Sequence, residues 1–384
     1  MGNKNKPMNE YPLMSETKGI PLFYPYIPSN AHKFVKETLS TRWIGQGPKV
    51  ALFEKKFENK FLSGQKALAV GSGTDALHMS YLLSDIKKGD EVLVPVFTCT
   101  ATNIPLLYIG AKPVFIDVDL DTMNLSIDDI QKKITKKTKA IVCVDYGGVP
   151  NDYSALLKIC KKNKLKLISD GAHSLGSKFN NKHVATYADF TTYSFQAIKT
   201  ITTGDGGMLV IKNLKLYEKA KRLRWFGIDR SKKQSGIWDN DLREIGYKYQ
   251  MTDISASLGL AALSQIEKVI KKRNDLFKAY EKGLAKNNTI KIIGKSKTKK
   301  YFNGSWLITI LINEKNRIKL MNKLRKKNIE SAQVHYRNDR YSIFGKRRKD
   351  LKNMDAIENQ YLVLPLHPKM NIKHVKYICS VINQ

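Results

Sequence analysis

Residues 194–207 read SFQAIKTITTGDGG, and they place one lysine, Lys199, between the aromatic segment FTTYSF and a glycine-rich turn. The chain has 67 lysines and arginines among 384 residues, so a lysine alone indicates no special role. The glycines of TTGDGG permit a tight backbone beside the lysine. The run GGMLVIKN that follows predicts a strand forming a hairpin with FTTYSF.

Outward from this stretch, short apolar runs alternate with helical segments. The predicted strands are ALAV, EVLVPV, PVFIDVD, AIVCVDY, LKLISD and FTTYSF. This rhythm predicts an α/β fold with a mostly parallel, doubly wound central sheet and helices on both faces. A long helix without proline is predicted from about residue 254 to 286. Beyond it, WLITILI and ESAQVHY predict a smaller α+β unit.

The length exceeds what one hydrophobic core usually supports, so we expect two domains. The expected division is an N-terminal arm at 1–20, a large domain at 21–265 and a small C-terminal domain at 266–384. No run of about 18 apolar residues and no signal peptide is evident, so we expect a cytoplasmic protein without a membrane span. The four cysteines lack C-x-x-C spacing, which favours buried thiols over disulfides or a metal site.

The formal net charge of +33 is the most unusual feature of the composition. Such a charge is typical of proteins that bind nucleic acid or anionic membranes. The lysines, however, are spread over nearly every predicted helix exterior and loop, which favours a solvated basic surface. A nucleic-acid-binding protein is therefore the less favoured alternative, and it leaves Lys199 unexplained. A positive field would still attract an anionic substrate such as a nucleotide diphosphate.

Two polar motifs follow predicted strands, where open α/β sheets place their ligands. GSGTDALH, residues 71–78, puts glycines and a helix start after ALAV, and backbone amides at a helix start suit phosphate. LISDGAH puts Asp170 at a strand end, where it can pair with a protonated ring nitrogen or, alternatively, cap a helix. Ser194 offers a hydroxyl to the same phosphate. With the amine of Lys199, this set has the equipment to bind pyridoxal 5′-phosphate (PLP) through a Schiff base.

Many motifs in order carry a family resemblance over nearly the whole chain. They are WIGQGPKVALFEKKF, GSGTDALH, VPVFTCTATN, GAKPVFIDVD, DGAHSLG, SFQAIKTITTGDGGM, RLRWFGIDR, GYKYQMTDISASLGLAAL and VLPLHP. The sequence resembles the DegT/DnrJ/EryC1/StrS sugar aminotransferases, which are PLP enzymes of fold type I. The resemblance implies the aspartate-aminotransferase fold and transfer of an amino group through pyridoxamine 5′-phosphate.

The resemblance also implies roles for single residues. Lys199 matches the Schiff-base lysine, Asp170 the partner of the pyridine nitrogen, and His173 the residue beside the cofactor's ring hydroxyl. The matched phosphate contacts are Gly73, Thr74, Asp75 and Ser194. The region HYRNDRYS matches a family segment that reaches toward the sugar, which makes His335, Arg337 and Arg340 candidate substrate ligands. Arginine at 337 or 340 could meet a diphosphate, or belong to an ordinary basic loop.

The chain departs from the family at three places, one of which is Gln196, where His is frequent. Cys99 stands where an aromatic residue often stacks on the cofactor ring, so stacking is weaker or comes from Phe97. GYKYQ stands where many family members have G-Y-N-Y-R. The resemblance implies that this segment contacts the cofactor phosphate of a partner subunit, in a homodimer with shared sites. Either Lys248 or Gln250 could make that contact. An ordinary loop before a capped helix is the alternative for this segment.

The implied reaction moves an amino group from glutamate to a nucleotide-linked keto-sugar, such as a 4-keto-6-deoxyhexose, for amino-sugar biosynthesis. The alternatives are a PLP-dependent or pyridoxamine-phosphate-dependent nucleotide-sugar dehydratase and a non-catalytic regulatory member of the fold. The dehydratase subgroup has histidine in place of the lysine, so Lys199 argues against it. The nucleotide, the ring position and the sugar stereochemistry cannot be deduced from the sequence.

Overall fold

The computed structural model describes residues 19–230, 242, 244–295 and 298–384. The predicted N-terminal arm therefore lies almost wholly outside the described residues. The helices of the first part of the chain are α1 (Ala31–Leu39), α2 (Pro48–Phe61), α3 (Gly73–Leu83), α4 (Thr100–Tyr108), α5 (Ile127–Lys133), α6 (Tyr153–Asn163), α7 (Lys215–Leu223) and α8 (Asp253–Leu263). Those that follow are α9 (Ile266–Gly283), α10 (Glu314–Lys326), α11 (Lys352–Ile357) and α12 (Ile372–Asn383).

A seven-stranded sheet forms the centre of the molecule. Its strands are β1 (Lys66–Val70), β2 (Glu91–Pro95), β4 (Lys112–Ile116), β5 (Thr138–Val144), β6 (Lys166–Asp170), β9 (Phe190–Ser194) and β10 (Gly207–Ile211). Their order in the sheet is β1-β10-β9-β6-β5-β2-β4. Neighbours from β9 to β4 are parallel, whereas β10 runs antiparallel to both β1 and β9. This confirms the predicted parallel sheet and the predicted hairpin.

Both faces of the sheet are buried, which explains why most of its strands are predominantly apolar. In β1, Leu68 and Val70 belong to one core cluster with α3, while Ala67 and Ala69 belong to another with α2 and α8. Parallel strands need such cover on both sides, because their crossover helices alternate between the faces.

Short strands complete the fold. They are β3 (Phe97–Thr98), β7 (Lys178–Phe179), β8 (Lys182–His183), β11 (Lys291–Ile292), β12 (Tyr301–Phe302), β13 (Ile308–Leu311), β14 (Tyr336–Arg337) and β15 (Tyr361–Leu364). Strands β11, β13 and β15 form a second sheet, packed against α9, α10 and α12, which is the predicted α+β unit. Strand β14 leaves that unit and pairs with β3 at the edge of the large sheet. The division of the chain into domains at residue 265 stays a prediction.

The prediction of one long helix from about residue 254 to 286 is wrong in one respect, because the structure has two helices there. The chain leaves helical geometry at Gln265, whose φ is −110° and ψ is 6°. The hydroxyl of Ser264 donates to the Ala261 carbonyl, which competes with the regular helical hydrogen bonds. The break separates α8, which packs on the large sheet, from α9, which packs on the second sheet.

A buried carboxylate joins α8 to the start of α2. Asp253 is fully buried, and its oxygens accept the amide hydrogens of Gly47, Lys49 and Val50 at 2.8 to 3.0 Å. The first amides of a helix have no acceptor within it, and the N-terminal end carries positive charge, so a carboxylate is well matched there. This contact fixes the chain just after residues 246–250, which belong to the site.

Candidate active site

The site lies at the sheet edge where β1, β6 and β9 end. Because parallel strands end at the same edge, Val70, Asp170 and Ser194 are brought together although they are far apart in sequence. Strand β10 begins at this edge, and Gly207 pairs with both Val70 and Ser194. Lys199 lies in the loop that joins β9 to β10.

The start of α3 packs directly against the end of β9. The Ser72 hydroxyl accepts the amide hydrogen of Asp75 at 3.0 Å, and α3 begins at Gly73, with Thr74 next. A Cβ on Gly73 would lie 2.9 Å from the Cβ of Ser194, so only glycine allows this approach. The residues predicted to contact the phosphate therefore lie together, at the start of α3 and the end of β9. Burial raises the pKa of Asp75 above its ordinary value, although its hydrogen bonds with Ser72 oppose this rise.

Asp170 ends β6 and is buried. One carboxylate oxygen accepts the Thr102 hydroxyl at 2.7 Å, and the other accepts the Ala172 amide at 3.1 Å. No helix begins immediately after Asp170, so the capping alternative does not describe it. Burial raises the pKa of Asp170 above its usual range, although its hydrogen bonds and the charge of Lys199 oppose this rise. A nearby cationic nitrogen would stabilise the ionised carboxylate.

Lys199 is half-buried, and its amine is partly shielded from solvent. Burial lowers its pKa from 10.5 to about 8, against the opposing effects of Asp170 and Cys99. Its Nζ lies 4.0 Å from the centroid of the Trp306 ring. An amine with this pKa is partly unprotonated near neutral pH, and the unprotonated amine is the form that attacks a carbonyl.

Two histidines lie beside the lysine. Nε2 of His173 is 3.3 Å from Nε2 of His335, and the rings stack with an interplanar angle of 16°. The amide of Gly147 donates to His173 Nδ1 at 3.4 Å, which favours the tautomer with a proton on Nε2. Burial and the charge of Lys199 lower the pKa of His335 to about 3 and hold that of His173 well below 6.5, so both are neutral. His335 has a φ of +66°, a strained conformation of a kind found at functional sites.

Trp306 was not expected from the sequence. Its ring stacks on that of His173 at 3.9 Å, which puts it in the middle of the site. The only sequence signal is its place as the first residue of the predicted strand WLITILI, after Gly304 and Ser305.

The ring-stacking position has no aromatic side chain. Cys99 is exposed, unlike the other three cysteines, which corrects the expectation of buried thiols. Phe97 cannot supply the stacking, because its ring is buried in the core against Tyr146 and Tyr361. Next to Cys99, strand β3 pairs with β14, and His335, the residue before β14, contacts His173.

The two candidate arginines differ. The expectation that Arg337 meets a diphosphate is wrong, because its guanidinium is fully buried. It is held by Asp339 at 2.6 and 2.7 Å, and by Asp355 and Glu358. Arg340 is exposed and lies over the ring of Tyr336 at 4.6 Å, so it stays a candidate substrate ligand.

The GYKYQ segment lies along the phosphate loop of its own chain, by which we mean the predicted phosphate-binding residues 71–75. Gln250 forms a bridge with Val70, and the Tyr249 carbonyl accepts the Gly71 amide at 2.8 Å. The Lys248 amine lies 4.0 Å from the centroid of the Trp225 ring, and the buried Oε1 of Gln250 has no partner among the described residues. The backbone thus touches its own subunit, and a contact of either side chain with a partner stays a prediction.

These residues fit PLP. The approach of Gly73 to Ser194 leaves helix-start amides beside a hydroxyl, which suits phosphate, and Asp170 is a buried acceptor that a ring N–H would satisfy. Lys199, five residues after Ser194 in the loop that follows β9, supplies a partly shielded amine. Among the described residues, no cluster of ligands for a metal ion is found.

Solved structures of sugar aminotransferases share this architecture. The structure of Spr1654 from Streptococcus pneumoniae, named as a sugar aminotransferase, matches in its PLP form with a TM-score of 0.88 and 29% identity. The match covers 94% of this chain and 97% of that one, and the PMP form matches with the same TM-score. The protein is therefore a PLP-dependent aminotransferase.

The sequence comparison gives the family. Residues 25–383 match the DegT/DnrJ/EryC1/StrS aminotransferase family, and the chain belongs to it. GDP-perosamine synthase of Escherichia coli O157:H7 is 34% identical over 371 residues, 96% of this chain and 98% of that protein. A dTDP-4-dehydro-2,3,6-trideoxy-D-glucose 4-aminotransferase of Saccharopolyspora spinosa is 31% identical over 69% of this chain and 71% of its own length. No helix in the described part of the chain is long and apolar enough to cross a membrane.

Proposed function

We propose that the protein transfers an amino group from glutamate to the ketone of a nucleotide-linked 4-keto-6-deoxyhexose, in amino-sugar biosynthesis. The observation that carries this proposal is the partly shielded Lys199 amine, at the same sheet edge as the buried carboxylate of Asp170 and the cradle formed by Gly73 and Ser194. Two relatives support the substrate class, since their names refer to a GDP-linked and a dTDP-linked sugar.

Each residue has a defined task in this reaction. PLP, when bound, supplies the electron sink on which both halves of the transfer depend. The start of α3 and Ser194 hold its phosphate, and Asp170 keeps a proton on its ring nitrogen. His173 is a neutral neighbour placed to hydrogen-bond the ring hydroxyl. Lys199 anchors the cofactor and, once released, takes up and returns a proton at Nζ.

The keto-sugar would enter beside His335, which contacts His173, and Arg340, which lies five residues further along the same segment. Arg340 is an exposed cation, a suitable partner for a diphosphate, whereas Arg337 positions this loop through its buried ion pairs. The basic surface favours the approach of an anionic nucleotide sugar. We further propose that the enzyme is a cytoplasmic homodimer with shared sites.

The test begins with the absorption spectrum of the purified protein with PLP, before and after glutamate is added. A spectral change on adding glutamate, without any sugar, shows the first half of the transfer. The enzyme that has reacted with glutamate is then assayed with GDP-, UDP- and dTDP-linked 4-keto-6-deoxyhexoses, and the products are identified by mass spectrometry. A protein that binds PLP but does not respond to any amino donor would be a regulatory member, and the proposal would fail.

A further inference from the structure

The indole of Trp306 touches Lys199 in two ways. Its face lies 4.0 Å from the Lys199 Nζ, and its Nε1–H donates to the carbonyl of Ile198, the preceding residue, at 3.1 Å. Trp306 stands just before β13 in the second sheet, 107 positions from Lys199 along the chain. One side chain thus contacts both the backbone that carries the lysine and the amine at its end.

We propose that Trp306 is a positioning residue for Lys199, whose indole face binds the ammonium form of the amine and favours it over the neutral form. The electron-rich face of an indole attracts a cation, and it does so most strongly where water is excluded. The contact holds the lysine in the site when the cofactor does not hold it.

Trp306 is itself held in place by contacts of its ring and by hydrogen bonds of its backbone. Trp306 is 1% exposed, and its ring is nearly parallel to the rings of His173, at 3.9 Å between centroids, and of Phe23, at 5.7 Å. Its amide donates to the Gly147 carbonyl at 2.8 Å, and its carbonyl accepts Nη1 of the buried Arg273 at 3.2 Å. Because the indole cannot turn away, it is a preorganised surface for the amine.

The charges around Lys199 show why such a surface matters. Burial drives its pKa down, and Asp170 and Cys99 oppose that effect. The facing imidazoles of His173 and His335 are neutral and give no compensating charge, and the Arg273 cation lies behind Trp306, at its carbonyl. A shielded cation–π contact raises the pKa of an amine by about one unit. Trp306 therefore keeps the pKa near the pH at which Lys199 must both take up and return a proton.

This inference rests on the proposed role of Lys199, but its test needs no turnover. Cofactor-free protein is produced with tryptophan, 5-fluorotryptophan or a trifluorinated tryptophan, which weakens the negative face of the ring while nearly preserving its shape. The pKa of Lys199 is measured from the pH dependence of its reductive methylation, followed on its peptide by mass spectrometry.

We expect the Lys199 pKa to fall stepwise with fluorine number, by about one unit over the series. The control is Trp306→Phe protein with the same fluorinated residues at the other three tryptophans, in which the pKa should not depend on fluorination. An unchanged pKa in the wild-type series, or an equal change in the control, would overturn the inference. A second measurement is the fluorescence of Trp306, obtained by subtracting the Trp306→Phe signal. It should titrate with the Lys199 pKa and lose that titration in Lys199→Met.

The outcomes separate this inference from the proposed function. If the pKa responds to fluorination but the enzyme transfers no amino group, the positioning role stands and the proposed reaction fails. If amino transfer is found but the Lys199 pKa does not respond to fluorination, the proposed reaction stands and the positioning role of Trp306 fails.

Discussion

At the residue scale, the chemistry depends on Asp170 and Lys199. Burial disfavours the charged form of each, whereas the charge of the other residue favours it. Asp170 raises the pKa of Lys199, and Lys199 lowers that of Asp170, while burial acts in the opposite direction on both. A cofactor with a cationic ring nitrogen near one and an aldehyde near the other would use both groups. This is the pattern of perturbed titratable pairs found at catalytic sites.

We expect Lys199→Ala to abolish amino transfer, by about a thousandfold or more, because no other amine can anchor the cofactor and move the proton. The fold should persist, since the change removes one flexible side chain. Borohydride should attach PLP covalently to the wild-type protein and to the surface variant Lys212→Ala, but not to Lys199→Ala. Attachment to another lysine would show that the assignment is wrong.

Asp170→Asn should keep PLP binding and lose about a hundredfold in turnover. The amide fills nearly the same space and can still accept the Thr102 hydroxyl, but it cannot keep a ring nitrogen protonated. Equilibrium dialysis measures PLP binding, and the half-reaction with glutamate measures turnover. Thr102→Val, which removes a hydroxyl that donates to Asp170, is the matched control and should cost less. Nearly normal turnover of Asp170→Asn would reduce Asp170 to a structural role.

At the scale of elements, the junction of α2 and α8 positions the segment beside the phosphate loop. The Asp253 carboxylate accepts three amide hydrogens at the start of α2, and all of them lose their acceptor in Asp253→Ala. We expect this variant to lose about 3 kcal/mol in free energy of unfolding, measured by urea denaturation of the cofactor-free protein. Thr252→Ala, which removes an exposed cap of α8, should lose about 1 kcal/mol. Equal losses would mean that the buried carboxylate has no special role.

The elements also show what the sequence could predict. Asp170 and Ser194 were recognisable because each ends an apolar run, and the ends of parallel strands meet at one edge. The phosphate cradle was recognisable because glycines precede a helix start. The contact of Trp306 with Lys199 was not, since it joins distant segments and Trp306 sits in an unremarkable apolar context. The burial of Arg337 likewise depends on Asp355 and Glu358, whose approach only the tertiary fold brings about.

At the scale of the whole molecule, buried cations are matched while the surface stays basic. Arg224 pairs with Glu54 at 2.7 Å, and Arg337 pairs with Asp339, whereas Arg273 is solvated by two backbone carbonyls. Removing a charge from water is costly unless partners replace the water, so loss of Glu54 or Asp339 alone would leave a buried arginine with an uncompensated charge. The excess positive charge is carried mainly by exposed lysines, where it can attract an anionic substrate.

The last prediction concerns the second subunit. We expect a homodimer in which Lys248 or Gln250 completes the partner's phosphate site. In the described part of the chain, the buried oxygen of Gln250 has no partner, and the segment runs along the phosphate loop. The test mixes two inactive variants, Lys199→Ala and the double variant Lys248→Ala/Gln250→Ala, by refolding them together. Substitution of these side chains leaves the backbone contacts of the segment with Val70 and Gly71 in place.

In a mixed dimer with shared sites, one site carries both lesions and the other carries neither, so activity should return. With random mixing of equal amounts, half of the dimers are mixed and each has one intact site, so about a quarter of wild-type activity is expected. Each variant refolded alone is the control and should stay inactive. If the double variant is inactive alone and the mixture stays inactive although mixed dimers form, the segment serves only its own subunit, and the shared site is ruled out.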